Sequence, residues 1–153
     1  MAPPEVVLLD SGPLGLVSHP NAARLNAGAV EWLGTLLSAG VSVLIPEIAD
    51  YEVRRELLRA GRTRGVRRLD ELKEAIGYRP ITTQAMLTAA ELWARARREG
   101  RPTAPDPALD ADVILAAQAT EVEQTGHSVA VATTNPRHLS RFVDARAWQE
   151  IAP

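Results

Sequence analysis

The chain contains no cysteine. Thiol nucleophiles, Cys-ligated zinc, iron–sulfur clusters and disulfides are therefore excluded, and the composition fits a reducing cytoplasm. Lysine is nearly absent too, with Lys73 alone against sixteen arginines, a ratio read as compositional bias. Aromatic residues make up only 4% of the chain. Trp32, Trp93 and Tyr51 fall at apolar helical positions and are read as core rather than as base-stacking platforms. The histidines His19, His127 and His138 are too scattered for a ligand set and are read as loop or surface residues. Nowhere do roughly 18 uncharged apolar residues follow one another, and MAPPEVVLLDSG has no basic stretch before its short apolar run, so neither a membrane span nor a signal peptide is expected.

What remains is enough for one ordinary domain, expected to span 1–153. A chain of 153 residues buries roughly 68–70% of its unfolded surface and needs no staple to fold. The formal net charge of −2 does not describe a strongly basic nucleic-acid trap. The arginines are nevertheless clustered, at Arg54, Arg55, Arg59, Arg62, Arg64, Arg67 and Arg68, and again at Arg95, Arg97, Arg98 and Arg101. Such clusters are either phosphate-contacting surfaces, since guanidinium binds phosphate bidentately, or solvated helix faces with Glu partners.

Apolar patterning alternates strands with helices. EVVLLD is a continuous apolar run of strand length that Gly12-Pro13 breaks. Asn21 to Ala39 has helical period and ends at Gly40. Val41 to Ile45 is a second buried strand, and Pro46 suits the first turn of a helix running to about Arg59. Thr63 to Ile76 and Thr83 to Glu99 read as helices separated by Gly77 to Ile81. Gly100 to Leu109 reads as the longest loop, Asp110 to about Gln124 as a helix, and SVAVAT as a strand before a turn at Asn135-Pro136. Strands apolar on both faces and separated by helices imply an α/β fold, a parallel sheet of four to five strands covered by helices.

In such sheets ligands bind beyond the carboxyl ends of the strands. Asp10 ends the first strand, and Thr133-Thr134-Asn135 follow SVAVAT at the same edge. On the helix IPEIADYEVRRELL, Glu52 borders the buried stripe while Asp50 lies about half a turn away, so Glu52 is the site candidate and Asp50 a surface residue. In LDADVILAAQA, Asp112 shares a face with Leu115, Ala116 and Ala119, whereas Asp110 points away and suits an N-cap. Ser11 and Thr133 are candidate hydroxyl donors to the site. Each acid also has a structural role open to it: Asp10 in a turn, Glu52 paired with Arg55 or Arg59, Glu47 and Asp112 as first-turn acids, and Asn135 in a turn before proline. One metal site accounts for Asp10, Glu52, Asp112 and Asn135 together. Hard oxygen donors without Cys or paired His select Mg²⁺ or Mn²⁺.

The ordered motifs LLDSGPLG, IPEIADYEVRREL, DADVILAAQA and ATTNPRHL resemble the PIN-domain ribonucleases, especially the VapC-like toxins of bacterial toxin–antitoxin pairs, over essentially the whole chain. The resemblance implies a PIN-like fold and metal-dependent endoribonuclease activity. By motif position the family's acids fall on Asp10, Glu52 and Asp112, with Asn135 at a fourth metal position where many relatives carry Asp. His138-Leu139 stands where Asp-Phe is common. The resemblance further implies an RNA substrate, a homodimer and a cognate antitoxin that inserts a side chain into the acidic site. A haloacid-dehalogenase-like phosphatase would want a second Asp where Gly12 stands, and a receiver domain a late lysine where there is none. The remaining alternative is a PIN-like module that binds RNA or protein without cutting.

Overall fold

The computed structural model describes residues 2–100 and 106–153, with backbone alone at 106–108. Its first strand, β1 (Val6–Leu9), is buried at every position. It pairs in parallel with β2 (Ser42–Pro46) on one side and β4 (Val129–Thr133) on the other, with Val7 opposite both Val43 and Ala130. Two short strands complete the sheet, β3 (Gly77–Arg79) beside β2 and β5 (Ala145–Ala147) beside β4. The result is a five-stranded parallel sheet of order β3-β2-β1-β4-β5.

Helices α1 (Ser11–Ser18), α2 (Ala22–Leu25), α3 (Ala27–Ser38), α4 (Glu47–Arg59), α5 (Thr63–Ala75), α6 (Thr83–Arg98), α7 (Asp106–Glu123) and α8 (Pro136–Leu139) occupy the connections. Side chains alternate across a strand. Val7 and Leu9 accordingly pack with Leu14, Leu36, Ala49 and Leu69 of α1, α3, α4 and α5 on one face. Val6 and Leu8 pack with Leu115, Ala119 and Val122 of α7 on the other. Helix α6 covers α7 through Ala85, Ala89, Leu92 and Ala96. This is the expected α/β sheet covered by helices, with its strand number at the upper end of the expected range. Among the described residues no helix is long and apolar enough to cross a membrane.

Several local expectations change. Gly12-Pro13 ends β1 but does not break the chain into a loop, because Pro13 sits in the first turn of α1, where a missing N–H removes no helical bond. The helix expected over Asn21 to Ala39 is two helices, divided at Asn26, whose Nδ2 donates to the Leu16 carbonyl at 2.9 Å. Pro46 closes β2 and is the N-cap of α4 rather than its first residue. Helix α7 begins at Asp106, so Asp110 is an exposed residue within the helix and not its N-cap, and Asp112 is past the first turn. Of the expected loop Gly100 to Leu109, residues 101–105 lie outside the described residues. Tyr51 and Trp93 are exposed, at 55% and 36%, rather than core. Trp32 does pack on the core, edge-on to Trp148 at 5.4 Å between centroids, and donates to the Ile151 carbonyl.

The largest correction concerns Asp50, which is 7% exposed and not a surface residue. Its carboxylate accepts from Arg54 Nε at 3.2 Å and Nη2 at 2.9 Å, and Lys73 Nζ lies 3.8 Å away. Arg54 also donates to Asp70 at 2.7 Å, so this network joins α4 to α5. The physical reason is that α5 packs against the flank of α4 that the helical wheel assigned to water. Replacing Asp50 with Asn leaves Arg54 and Lys73 without their shared counter-charge and should cost about 1.5–3 kcal/mol. In urea unfolding this appears as a lower midpoint at unchanged slope. A change within about 0.5 kcal/mol, as surface substitutions give, would contradict the network's role.

Candidate metal centre

Parallel strands all finish at one edge, and the first residue beyond β1 is Asp10. Its Oδ1 accepts from the Ser11 N–H at 2.7 Å, capping α1, and its Oδ2 accepts from the Thr133 hydroxyl at 2.8 Å. Thr133 ends β4 and is 1% exposed, and its Oγ1 in turn accepts from the Asn135 N–H at 3.2 Å. The turn role open to Asp10 and its place at the site edge are thus both realised. Each Asp10 oxygen keeps a lone pair for a further partner. A Cβ at Gly12 would stand 2.6 Å from Cγ2 of the exposed Thr134, so a side chain here would have to displace that of Thr134.

Helices bring the other two acids. Glu52, on α4, is half-buried, with Arg55 Nη2 at 3.9 Å, while Arg59 pairs with Glu56 instead. Asp112, on α7, has a side chain 19% exposed, with His138 Nδ1 at 3.9 Å from Oδ2. Neither distance is a hydrogen bond. Burial is the main cause that raises the Asp112 carboxyl to about 7, and the charges of Asp10 and then Glu52 add to it. The Glu52 carboxyl is raised by burial and by Asp10, with Arg55 opposing. The three acids therefore lie within one another's electrostatic field, in partly desolvated surroundings.

Among the described residues no one group of three or more His, Asp or Glu side chains is spaced to hold a metal ion directly. Mg²⁺ rarely requires one, since it keeps several waters and is held by one or two carboxylates. Mutually repelling oxygen donors with free lone pairs fit a hydrated hard divalent cation, which removes the repulsion by adding positive charge. Asn135 lies at the same edge, where its Oδ1 accepts from the Arg137 N–H at 3.3 Å and caps α8. Thr133 is committed to Asp10. Asp110 opens instead onto a separate groove between α6 and α7 with Met86, Trp93 and Ile114. Beside the acids, an open groove of about 680 Å³ runs between α1 and α4, lined by Ser11, Gly12 and Glu52 and then by Arg55, Arg59 and Arg62.

His138, read in the sequence as a loop or surface residue standing where Asp-Phe is common, lies with its Nδ1 3.9 Å from Asp112 Oδ2.

No family model matches the chain, and no curated protein matches it in sequence. Solved structures do share its fold. A chain of VapBC2 from Rickettsia felis, bound to a DNA fragment from their promoter, superposes with a TM-score of 0.68 at 14% identity, covering 92% of this chain and 97% of that one. VapBC-1 from nontypeable Haemophilus influenzae gives 0.68 at 14%, covering 95% and 99%. DNA-bound VapBC from Salmonella typhimurium gives 0.60 at 18%, covering 93% and 97%. At these identities the likeness establishes the fold, which is PIN-like as the motifs led one to expect.

The raised Asp112 carboxyl has a direct consequence for stability. In the metal-free protein the folded state keeps this proton to about pH 7, whereas the unfolded chain releases it near 3.8. Between those values the native state binds more protons, so the contribution is present in full below the lower value and is lost as pH rises through the upper one. Asp112→Asn stays neutral throughout. Without metal it should match wild type near pH 4 and melt several degrees higher at pH 8, a gap on the scale of about 2–4 °C per kcal/mol. A gap independent of pH in thermal melts would contradict the shared field.

Proposed function

We propose that this chain, a single PIN-like domain over 1–153, is a Mg²⁺- or Mn²⁺-dependent endoribonuclease and the toxin of a toxin–antitoxin pair. Its substrate is RNA, its partners are a second copy and a cognate antitoxin, and its compartment is the cytoplasm. The observation that carries the reading is the meeting of Asp10, Glu52 and Asp112 in one field at the carboxyl edge of the sheet. The fold shared with chains of VapBC complexes supports it, as does the motif order.

Asp10, Glu52 and Asp112 hold the cation, directly or through water, and none acts as a covalent nucleophile. Bound there, divalent ions supply Lewis acidity toward the phosphoryl oxygens and lower the pKa of the attacking water. The protein's share is placement. Ser11 N–H and Thr133 Oγ1 fix the Asp10 carboxylate from two directions, and Asn135 orients a ligand from outside the inner set. The arginines sort by partner. Arg54 is saturated by Asp50 and Asp70, and Arg68 donates to the Val17 carbonyl. Arg55, Arg59 and Arg62 line the groove leading from Glu52; Arg59 is paired there with Glu56, an exposed surface pair that a backbone phosphate can displace.

Cleavage of single-stranded or structured RNA should require Mg²⁺ or Mn²⁺, stop on chelation, and fall by about 100-fold or more in Asp10→Asn and Asp112→Asn, since even outer-shell losses at metal sites cost about 10–100-fold. Cleavage that survives chelation would refute the mechanism. Metal-independent RNA binding without cleavage over a broad RNA pool would establish the non-catalytic module instead.

The groove makes a separate prediction, best measured as RNA binding in an Asp10→Asn background. Arg59→Ala with Arg62→Ala should weaken binding and flatten the dependence of log K on log salt by about 0.7 per lost single-strand phosphate contact. Arg54→Ala should lower stability and leave the salt slope unchanged. Equal slopes in all variants would return these arginines to a solvated face.

A further inference from the structure

We propose that Tyr51 is a stacking platform for an unpaired nucleobase at the mouth of the groove between α1 and α4, so that the chain selects single-stranded over duplex RNA. This rests on the reading of that groove as an RNA site and deepens it, because it names the kind of RNA that fits.

The aromatic residues differ in what they are free to do. Trp32 and Trp148 pack edge-on against each other and on the core. Tyr78 gives its hydroxyl to Glu47, and Phe142 packs with the cluster between α6 and α7. Trp93 lines the separate groove that holds Asp110. Tyr51 alone among these stands on the helix that carries Glu52, one residue before it, and it is 55% exposed.

Arg55 ties this ring to the site. Its guanidinium carbon is 5.1 Å from the Tyr51 ring centroid, and its Nη2 is 3.9 Å from Glu52 Oε2. Tyr51 and Arg55 are four residues apart on α4 and so share a helix face. The same arginine lines the groove with Arg59 and Arg62. One guanidinium therefore bridges an exposed ring, an acid of the site and the groove beside it. The ring holds it by cation–π attraction and leaves its N–H donors to a phosphate.

An unpaired nucleotide fits this arrangement and a paired one does not. A phosphate on Arg55 brings a neighbouring base to the Tyr51 ring, and base–aromatic stacking tolerates sequence because every base has a π-face. In a duplex the bases are already stacked and paired, so the protein meets phosphates and 2′-hydroxyls instead. The groove arginines Arg55, Arg59 and Arg62 outnumber its acids, Glu52 and Glu56, which favours a polyanion over an apolar protein surface beside the ring.

The test is binding of a pool of short random-sequence RNAs, single-stranded and copied into duplex, to the metal-free full chain over a range of salt, with EDTA present. Tyr51→Leu should weaken single-strand binding by about 5-fold or more, the low end of what one stacked base contributes. The salt slope, duplex binding and melting temperature should stay close to wild type, since no charge is lost. Tyr51→Phe keeps the ring and should bind like wild type. An unchanged single-strand affinity in Tyr51→Leu, or equal losses for single strand and duplex, would overturn the platform and leave the nuclease reading standing. A loss shared by Tyr51→Phe would assign the effect to the hydroxyl and overturn it too. Sedimentation in which wild type self-associates and Tyr51→Leu does not would place the ring in a protein interface, with the same result. Failure of wild type to bind single strands at all would overturn this inference together with the RNA reading of the groove beneath it.

Discussion

Because β1 is paired in parallel on both edges and covered on both faces, its residues are almost wholly withdrawn from water, and the chain leaves the buried sheet at Asp10. The placement of the site follows from that constraint. Every strand of a parallel sheet ends at the same edge, so Thr133 arrives beside Asp10 at the end of β4. Helix α4 starts directly after β2 and carries Glu52 to the same edge, while α7, packed across one face of the sheet, brings Asp112. The acidic set is a product of topology, which is why such edges host ligand chemistry on many unrelated sheets.

Carboxylates in one partly desolvated field oppose folding, and the surrounding frame is correspondingly over-determined. The helix bearing Glu52 is pinned at its first turn from two directions. Glu47 accepts from the Tyr78 hydroxyl at 3.0 Å and the Ile81 N–H at 2.7 Å, which makes it more than the first-turn acid it resembles in sequence. Gln118, fully buried on α7, donates to the Arg79 carbonyl at 2.8 Å and accepts from the Ile48 N–H at 3.4 Å. The Asp50, Arg54, Asp70 and Lys73 network holds the opposite flank. Tyr78, whose hydroxyl is pushed up to about 12 by burial and then by its bond to Glu47, stays a neutral donor in this frame at any physiological pH. Such fixed outer contacts set the geometry of the inner groups.

How much of this was legible in the sequence depended on the range of the interaction concerned. The three central strands and the long helices α4 to α7 were readable because periodicity is local, and the strand-end rule then pointed to Asp10 and the Asn135 edge. Helical geometry singled out Glu52 and Asp112, and the charge of Asp10 helps to raise both of their carboxyls. The same geometry misjudged Asp50, since a helical wheel shows which residues share a face but not that α5 lies against a second face. Strands β3 and β5 are three residues each, too short for an alternation to declare itself. Tyr51 and Trp93 were assigned to the core from their apolar helical positions, yet each lies under an arginine, Arg55 at 5.1 Å and Arg97 at 5.4 Å from the ring centroids, at the surface. His138 was read as a loop or surface residue because its proximity to Asp112 exists only in three dimensions.

The central claim is that the frame holds an acidic set whose repulsion a divalent cation relieves. Its most direct test is the thermal melt of wild type beside the variant carrying Asp10→Asn, Glu52→Gln and Asp112→Asn, each with and without Mn²⁺. An ion that binds only the folded state at about 100 times its Kd adds about 2.7 kcal/mol, or roughly 5–10 °C for a chain of this size. The account predicts that rise in wild type, no rise in the triple variant, and a metal-free triple variant at least as stable as wild type at pH 8. A triple variant that melts well below metal-free wild type, together with a wild type indifferent to Mn²⁺, would show that these acids serve the fold alone and contradict the claim.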